Sequence, residues 1–137
     1  MQTFPHPKNK DQNLIFVNGY FQNTKNIDEK FKVLEYSENF EGWNEEFIKM
    51  IDDQIVNQHP IDVASGDMCV YLLKKFNNLE KKIALEIGCW SGYLINKINS
   101  INNYEYIGSD ATKKSVKKLA NIYTKNPFII FDILKNP

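Results

Sequence analysis

Residues 82–93, KIALEIGCWSGY, decide how the rest of the chain is read. Ile83, Ala84, Leu85 and Ile87 make a nearly continuous apolar run that stops at Gly88. A run of that length reads as a parallel strand covered on both faces. The glycines predict a tight turn at Gly88 and a helix opening near Ser91 and Gly92. A strand, a glycine turn and a helix start leave backbone N–H groups free beside a ligand, which suits a nucleotide or an anionic group. Glu86 stands two residues before Gly88, at the carboxyl end of the strand, where open α/β sheets put their ligands. Together these features predict a nucleoside-cofactor site.

Downstream, the pattern repeats. Leu94, Ile95, Ile98 and Ile101 predict an amphipathic helix closed by Asn102 and Asn103. Residues 104–109, YEYIGS, read as a second strand ending in Asp110. Thr112 is placed to cap a further helix, in which Val116, Leu119, Ala120 and Tyr123 face inward while Lys113, Lys114, Lys117 and Lys118 face water. Asn126 and Pro127 introduce a third strand at 128–131, followed by Asp132. Strand, helix, strand, helix, strand predicts a parallel sheet with right-handed crossovers. All three strand ends then face one side, so the glycine turn, Asp110 and Asp132 converge on one crevice. Asp110 follows Gly88 by 22 residues, close to the offset of about 20 at which an acidic side chain reaches ribose hydroxyls. The plainer role for both acids is to cap a loop or a helix.

Upstream, the signals are weaker. Residues 1–13 are rich in Pro, Asn and Lys and read as loosely ordered. In residues 14–21, LIFVNGYF, Asn18-Gly19 between apolar pairs signals a hairpin, best taken as a flap packed on the core. Residues 22–42 are polar and irregular, with one apolar cluster at Phe31, Val33 and Leu34. From Trp43 the period changes: Trp43, Phe47, Ile51 and Ile55, with Ile48, give a helix face. The neighbouring Glu45, Glu46, Asp52 and Asp53 read as its solvated side. That helix should end near Gln58, because Pro60 biases His59 away from helical angles. His59 to Asp62 reads as a connector, with Asp62 or Ser65 capping a second helix whose apolar stripe is Cys69, Leu72, Leu73, Phe76 and Leu79. His59 is read as structural rather than as a base.

Composition excludes some functions. The chain has 137 residues, enough for one domain, and its Lys+Arg and Asp+Glu counts are both 17. Every one of those basic residues is Lys, so the bidentate guanidinium forks that grip phosphates and guanine edges are missing and no nucleic-acid partner is expected. No apolar run approaches membrane length and the N-terminus has no apolar signal core, so the chain is expected to be cytoplasmic, without a membrane partner. Cys69 and Cys89 stand alone without metal-ligand spacing, as reduced thiols do, and no metal site is expected.

A nicotinamide dinucleotide calls for G-x-G-x-x-G, whereas this turn is Gly88-x-x-x-Gly92 with Glu86 before it. A carboxylate there suits a cationic ligand better than a pyrophosphate. LEIGCWSG (85–92), YIGSDAT (106–112) and FIIFDILKNP (128–137) resemble the cofactor-binding motifs of class I S-adenosylmethionine-dependent methyltransferases. QHPIDVAS (58–65) upstream and FDILKNP downstream further resemble a bacterial subgroup associated with glycosyltransferases. The resemblance covers residues 43–137, leaving 1–42 as an N-terminal extension. It implies an α/β, Rossmann-like parallel sheet, truncated after the third strand, with N-terminal helices before it. It also implies that Glu86, Gly88, Cys89 and Gly92 line the methionine side of S-adenosyl-L-methionine, and that Asp110 binds the ribose. Asp132 would accept from the adenine amino group, with Ile133 adding a backbone contact. The implied acceptor is a small molecule or a saccharide.

Two departures from the family stand out. Its middle turn glycine is Trp90 here, where an indole either flanks the cofactor or narrows the pocket. Family members also continue through a fourth strand and beyond, into the half that holds most acceptor-binding and base residues. The strand at 83–87 would therefore be an unpaired edge open to a second copy or a partner chain. No catalytic base can be named. The readings that follow are a methyltransferase represented by its cofactor-binding half, a non-catalytic S-adenosylmethionine-binding module, and, third, a nicotinamide-dependent oxidoreductase.

Overall fold

Side chains on a β-strand alternate between its two faces, and in this protein the two faces of one parallel sheet are covered by different partners. The computed structural model describes residues 2–37, 46, 49, 50, 53 and 60–135. Among them, β1 (Thr3–Pro5), β2 (Asn13–Val17), β3 (Tyr20–Asn23) and β4 (Lys30–Phe31) form an antiparallel sheet in that order. The second sheet is parallel, in the order β5 (Leu34–Glu35), β8 (Phe128–Ile130), β7 (Tyr104–Asp110), β6 (Lys82–Ile87). The helices are α1 (Pro60–Lys75), α2 (Ile95–Asn99) and α3 (Lys113–Ile122). The protein is thus mixed α/β with a four-stranded parallel sheet.

The N-terminal segment departs from its sequence reading. The hairpin at Asn18-Gly19 is present, with Val17 opposite Tyr20 and both turn residues at positive φ (52° and 81°), as a two-residue hairpin turn requires. Residues 1–13, expected to be loose, instead supply β1, whose Phe4 is buried. The stretch 22–42, expected to be irregular, supplies β4 and then β5, which pairs parallel with β8. The sheet consequently has one strand more than the three expected. Short strands lie below what hydrophobic period can detect, because two residues show no alternation.

One face of the parallel sheet carries Tyr106, Phe128 and Ile130, packed with Ile95 and Ile98 of α2 and Val116, Leu119 and Ala120 of α3. The opposite face carries Ile107, Leu34 and Ile129, packed against Phe4, Leu14 and Phe21 of the antiparallel sheet. Burying each of these large side chains contributes about 1.5–3 kcal/mol. The antiparallel sheet does not extend over β6. Ile83, Leu85 and Ile87 point to the same face as Ile107 and are 54%, 55% and 56% exposed. The expectation that this strand is covered on both faces is corrected: an apolar run records what a strand could bury, not what covers it.

The helices shift too. The helix expected near Ser91 begins at Ile95 and is five residues long, because 88–92 is taken up by the turn. α1 starts at Pro60, a residue at home in a first helical turn, so 60–62 is helical rather than a connector and Ser65 lies inside the helix, not at a cap. On α1, Leu73 packs inward, but Leu72 and, beyond the helix, Phe76 and Leu79 are exposed. Thr112 occupies the N-cap position of α3 without a side-chain capping bond. Two of the lysines expected to face water, Lys113 and Lys117, pair with Glu35 of β5, each over 2.9 Å. The expected helix face of Trp43, Phe47, Ile51 and Ile55, and His59, lie outside the described residues; Glu46, Lys49, Met50 and Asp53 are helical. No helix among the described residues is long and apolar enough to cross a membrane.

Candidate functional site

β6 and β7 end side by side, with Ile87 in register with Ser109. The amides of Gly88 and Cys89 both donate to the Ser109 carbonyl, over 2.7 and 2.9 Å. The chain then reverses through Gly88, Trp90 and Gly92, whose φ angles are 79°, 39° and 81°. Glycine adopts such angles freely; a tryptophan there costs roughly 1–2 kcal/mol. Something must hold Trp90 in place, and its amide donates to Asp110 Oδ2 over 3.1 Å.

Asp110 is therefore a clamp. It is 6% exposed, and its other oxygen accepts from the Thr112 amide at 2.7 Å, at the start of α3. The carboxylate thus pins the glycine turn to the end of β7. A carboxylate has about four acceptor positions, so two amide donors leave capacity for a hydroxyl. Beside it, the Oγ atoms of Ser109 and Thr112 are buried without a hydrogen-bond partner among the described residues.

Glu86 lies on the same face of β6 as Ala84, and Ala84 is in register with Tyr106. The Tyr106 hydroxyl donates to Glu86 Oε2 at 2.5 Å. Burial raises the Glu86 pKa above the ordinary carboxylate range, and the nearby Asp110 charge pushes the same way, against the lowering effect of the Tyr106 bond. The same burial, with the charges of Asp110 and Glu86, pushes up the thiol of Cys89, which is 2% exposed. A thiol held protonated is no nucleophile. The Tyr106 hydroxyl is likewise held protonated by burial and the Glu86 charge.

A cleft of about 340 Å³ opens beside the turn. Glu86, Gly88 and Cys89 line it, facing Ser65 and Gly66 of α1 and Tyr93. Among the described residues, no atom beyond Gly88 and its two chain neighbours lies within 4 Å of the point where a Cβ on Gly88 would stand, so a ligand can approach the backbone there. Gly92 behaves differently: a Cβ would come within 2.7 Å of Ile95 Cδ1 and 2.8 Å of Leu119 Cδ2. Its role is to let the turn pack on α2 and α3. Gly66 plays that part on α1, where a Cβ would meet Tyr93 Cε1 at 2.6 Å. Lys97 joins Asp67 of α1 (2.8 Å) to the Tyr93 hydroxyl (2.9 Å), fixing that wall. Trp90 and Ser91 also border a second cleft, of about 660 Å³, lined by Lys49, Lys114 and Lys118.

Asp132 and Ile133 follow β8, next to β7, and the Phe131 amide donates to the Asp110 carbonyl at 3.0 Å. Asp132 is 6% exposed. Its amide donates to Ser37 Oγ at 2.7 Å, and Oδ1 accepts from the Leu134 amide at 3.0 Å. Lys135 Nζ lies 4.0 Å from Oδ2. Ile133 is 53% exposed. Glu86, Gly88, Cys89 and Asp110 are thus gathered around the turn, Gly92 supports it from behind, and Asp132 with Ile133 stands at the neighbouring strand end, held by the segment after β5.

Sequence reasoning missed Ser65, Gly66, Tyr93 and Tyr106. Two signals were there. A glycine inside a helix costs about 1 kcal/mol relative to alanine and marks a close approach, as Gly66 does. A carboxylate inside an apolar strand needs a donor on the adjacent strand, and Tyr106 has the right parity. No protein-family model matches the sequence, and no curated protein matches it either.

Proposed function

We propose that the chain binds S-adenosyl-L-methionine in the cleft at the end of β6 and represents the cofactor-binding part of a class I, Rossmann-like methyltransferase. The observation that supports this most is Glu86, a desolvated carboxylate beside a glycine with open space above its backbone. Such a group gains from a cation and opposes a pyrophosphate. The ligand would rest its methionine ammonium on Glu86, pass over Gly88 and Cys89, and offer its ribose hydroxyls to the free acceptor positions of Asp110. Asp132 and Ile133 would serve the adenine end. Bound, the cofactor supplies an electrophilic methyl group. The protein's part is to hold that group in line with an acceptor, a small molecule or saccharide, and in such a displacement positioning carries much of the catalysis.

A second reading, a binding module without catalysis, is favoured by one feature: each ionisable group at the turn is already engaged or held protonated. Asp110 accepts two amides, Glu86 accepts from Tyr106, and the Cys89 thiol is buried. None is left as a free base.

Isothermal titration with S-adenosylmethionine, S-adenosylhomocysteine and NAD tests both readings. Binding of the first two that is weakened in Glu86→Gln supports the proposal, and binding of NAD alone overturns it. Transfer of a labelled methyl group to a saccharide or small-molecule acceptor then separates enzyme from module.

A further inference from the structure

Two clefts of opposite charge meet at Trp90 and Ser91. In the smaller, at the end of β6, Glu86 is the one charged side chain among the described lining residues. The larger, of about 660 Å³, sets Lys49, Lys114 and Lys118 against Asp53, an excess of two positive charges among the described residues. The whole chain balances 17 lysines with 17 acids, so this excess is a matter of placement, not of composition. The same helix shows what such lysines do with an anion. Lys113 and Lys117, four residues apart on α3, share the Glu35 carboxylate, each over 2.9 Å. Lys114 and Lys118 repeat that spacing one position further along α3, where they line the cleft together with Lys49. Among the described residues, neither Lys49 nor Lys118 takes part in an ion pair. Like charges at this spacing oppose a helix unless an anion comes between them. Trp90 and Tyr123 add aromatic residues to the lining. Trp90 holds a φ of 39° that a glycine would adopt freely, and backbone strain of this kind collects where ligands are held.

We infer that the larger cleft binds a phosphate ester, its phosphate among Lys49, Lys114 and Lys118 and its organic part against Trp90. Lysines grip a phosphate as point charges and need no guanidinium fork. A phosphate monoester carries nearly two negative charges at neutral pH, which balances the excess of two left after Asp53. A neutral ligand would leave the lysines repelling one another, and a cation would add to that repulsion. Across Trp90, Glu86 repels the same anion, so the two clefts sort their ligands by sign. The role of the ester rests on the cofactor reading above: it is the methyl acceptor, drawn to the basic cleft while the cationic donor is drawn to the acidic one.

The test is isothermal titration of the whole chain with glucose 1-phosphate, uridine monophosphate, inorganic phosphate, glucose and uridine. At least one ester should bind at least about tenfold more tightly than both inorganic phosphate and its own neutral parent. Lys49→Gln and Lys118→Gln should each weaken that binding about five- to twentyfold, and added salt should weaken it in the unaltered chain. Both lysines are exposed, so unchanged circular dichroism will show the variants folded. Lys113→Gln, which removes a partner of Glu35 and not a wall of the cleft, should leave the affinity unchanged. Trp90→Gly should weaken the ester and spare inorganic phosphate. Inorganic phosphate binding as tightly as the esters overturns the inference. So does an ester affinity that Lys49→Gln and Lys118→Gln leave intact, or the failure of both esters to bind. Titration with S-adenosylhomocysteine keeps the two readings apart: if it binds and no ester does, this inference alone falls. If an ester binds and S-adenosylhomocysteine does not, the acceptor role is overturned and the phosphate-ester site stands.

Discussion

Leu85 and Ile107 are register partners on adjacent strands, yet Ile107 is 3% exposed and Leu85 is 55% exposed. The antiparallel sheet reaches Ile107 and stops before Leu85. Truncating each therefore has unequal cost in the single chain: Ile107→Ala should lose about 2–5 kcal/mol and leave a cavity, while Leu85→Ala loses well under half of that. Urea unfolding of the two variants makes the comparison.

Gly88 and Gly92 share a left-handed backbone, with φ of 79° and 81°, but not their surroundings. Gly88→Ala meets only the backbone penalty, about 1–2 kcal/mol, and narrows the cleft, so it should harm ligand binding more than folding. Gly92→Ala adds a collision with Ile95 and Leu119 and should cost several kcal/mol, roughly 2–4, in thermal unfolding.

Asp110 carries a structural load that any binding experiment must separate from recognition. Asp110→Ala strips the acceptor from the Trp90 and Thr112 amides and should destabilise the fold by about 2–4 kcal/mol, because buried donors are left unmade. Asp110→Asn keeps one acceptor and should lose about half as much. If the ribose is bound here, the Asn variant stays folded yet binds S-adenosylhomocysteine at least about tenfold more weakly, one charge-assisted bond being worth 1.5–3 kcal/mol.

Glu86 should oppose folding and favour binding. Its pKa is raised in the folded chain, chiefly by burial, so the folded state holds the proton more tightly than the unfolded state does. The contribution is most favourable below the ordinary carboxylate range and is lost as pH rises through the raised value. Glu86→Gln should therefore raise the unfolding temperature at neutral pH, with the gain vanishing in acid. The same substitution should weaken a cationic ligand about ten- to hundredfold. Paired calorimetric scans and titrations across pH would show the two effects with opposite sign.

Glu35 has the opposite sign. Hydrogen bonds from Lys117 and Lys113 hold its pKa below the usual value. The stability it contributes is present above the ordinary carboxylate range and is lost as pH falls through the lowered value. These side chains are about a third to a half exposed, so Glu35→Gln should cost only about 0.5–1 kcal/mol and less at high salt. Denaturant midpoints at low and high ionic strength check this.

The sequence alone was enough for β6, β7, β8 and α3, and for the turn at Asn18-Gly19, because each rests on a local cause. Apolar periods, glycines at positive φ and a proline before a strand act within a few residues of themselves. It was also enough to bring Glu86, Gly88, Cys89 and Asp110 to one end of the sheet, since the parallel direction of the strands, which sets their carboxyl ends on one side, follows from the alternation of strands and helices. Tertiary structure decided everything that depends on a distant partner. β5 is two residues long and exists because β8 lies beside it; β1 is held by β2 and by the burial of Phe4. Asp110 reads in sequence as a group waiting for a ribose, and only the fold shows it already receiving two amides. The apolar run at 83–87 reads as doubly covered, and only the reach of the antiparallel sheet leaves one of its faces in water. Local physics sets which elements form, whereas coverage is a property of what else arrives, and no stretch of sequence carries that information by itself.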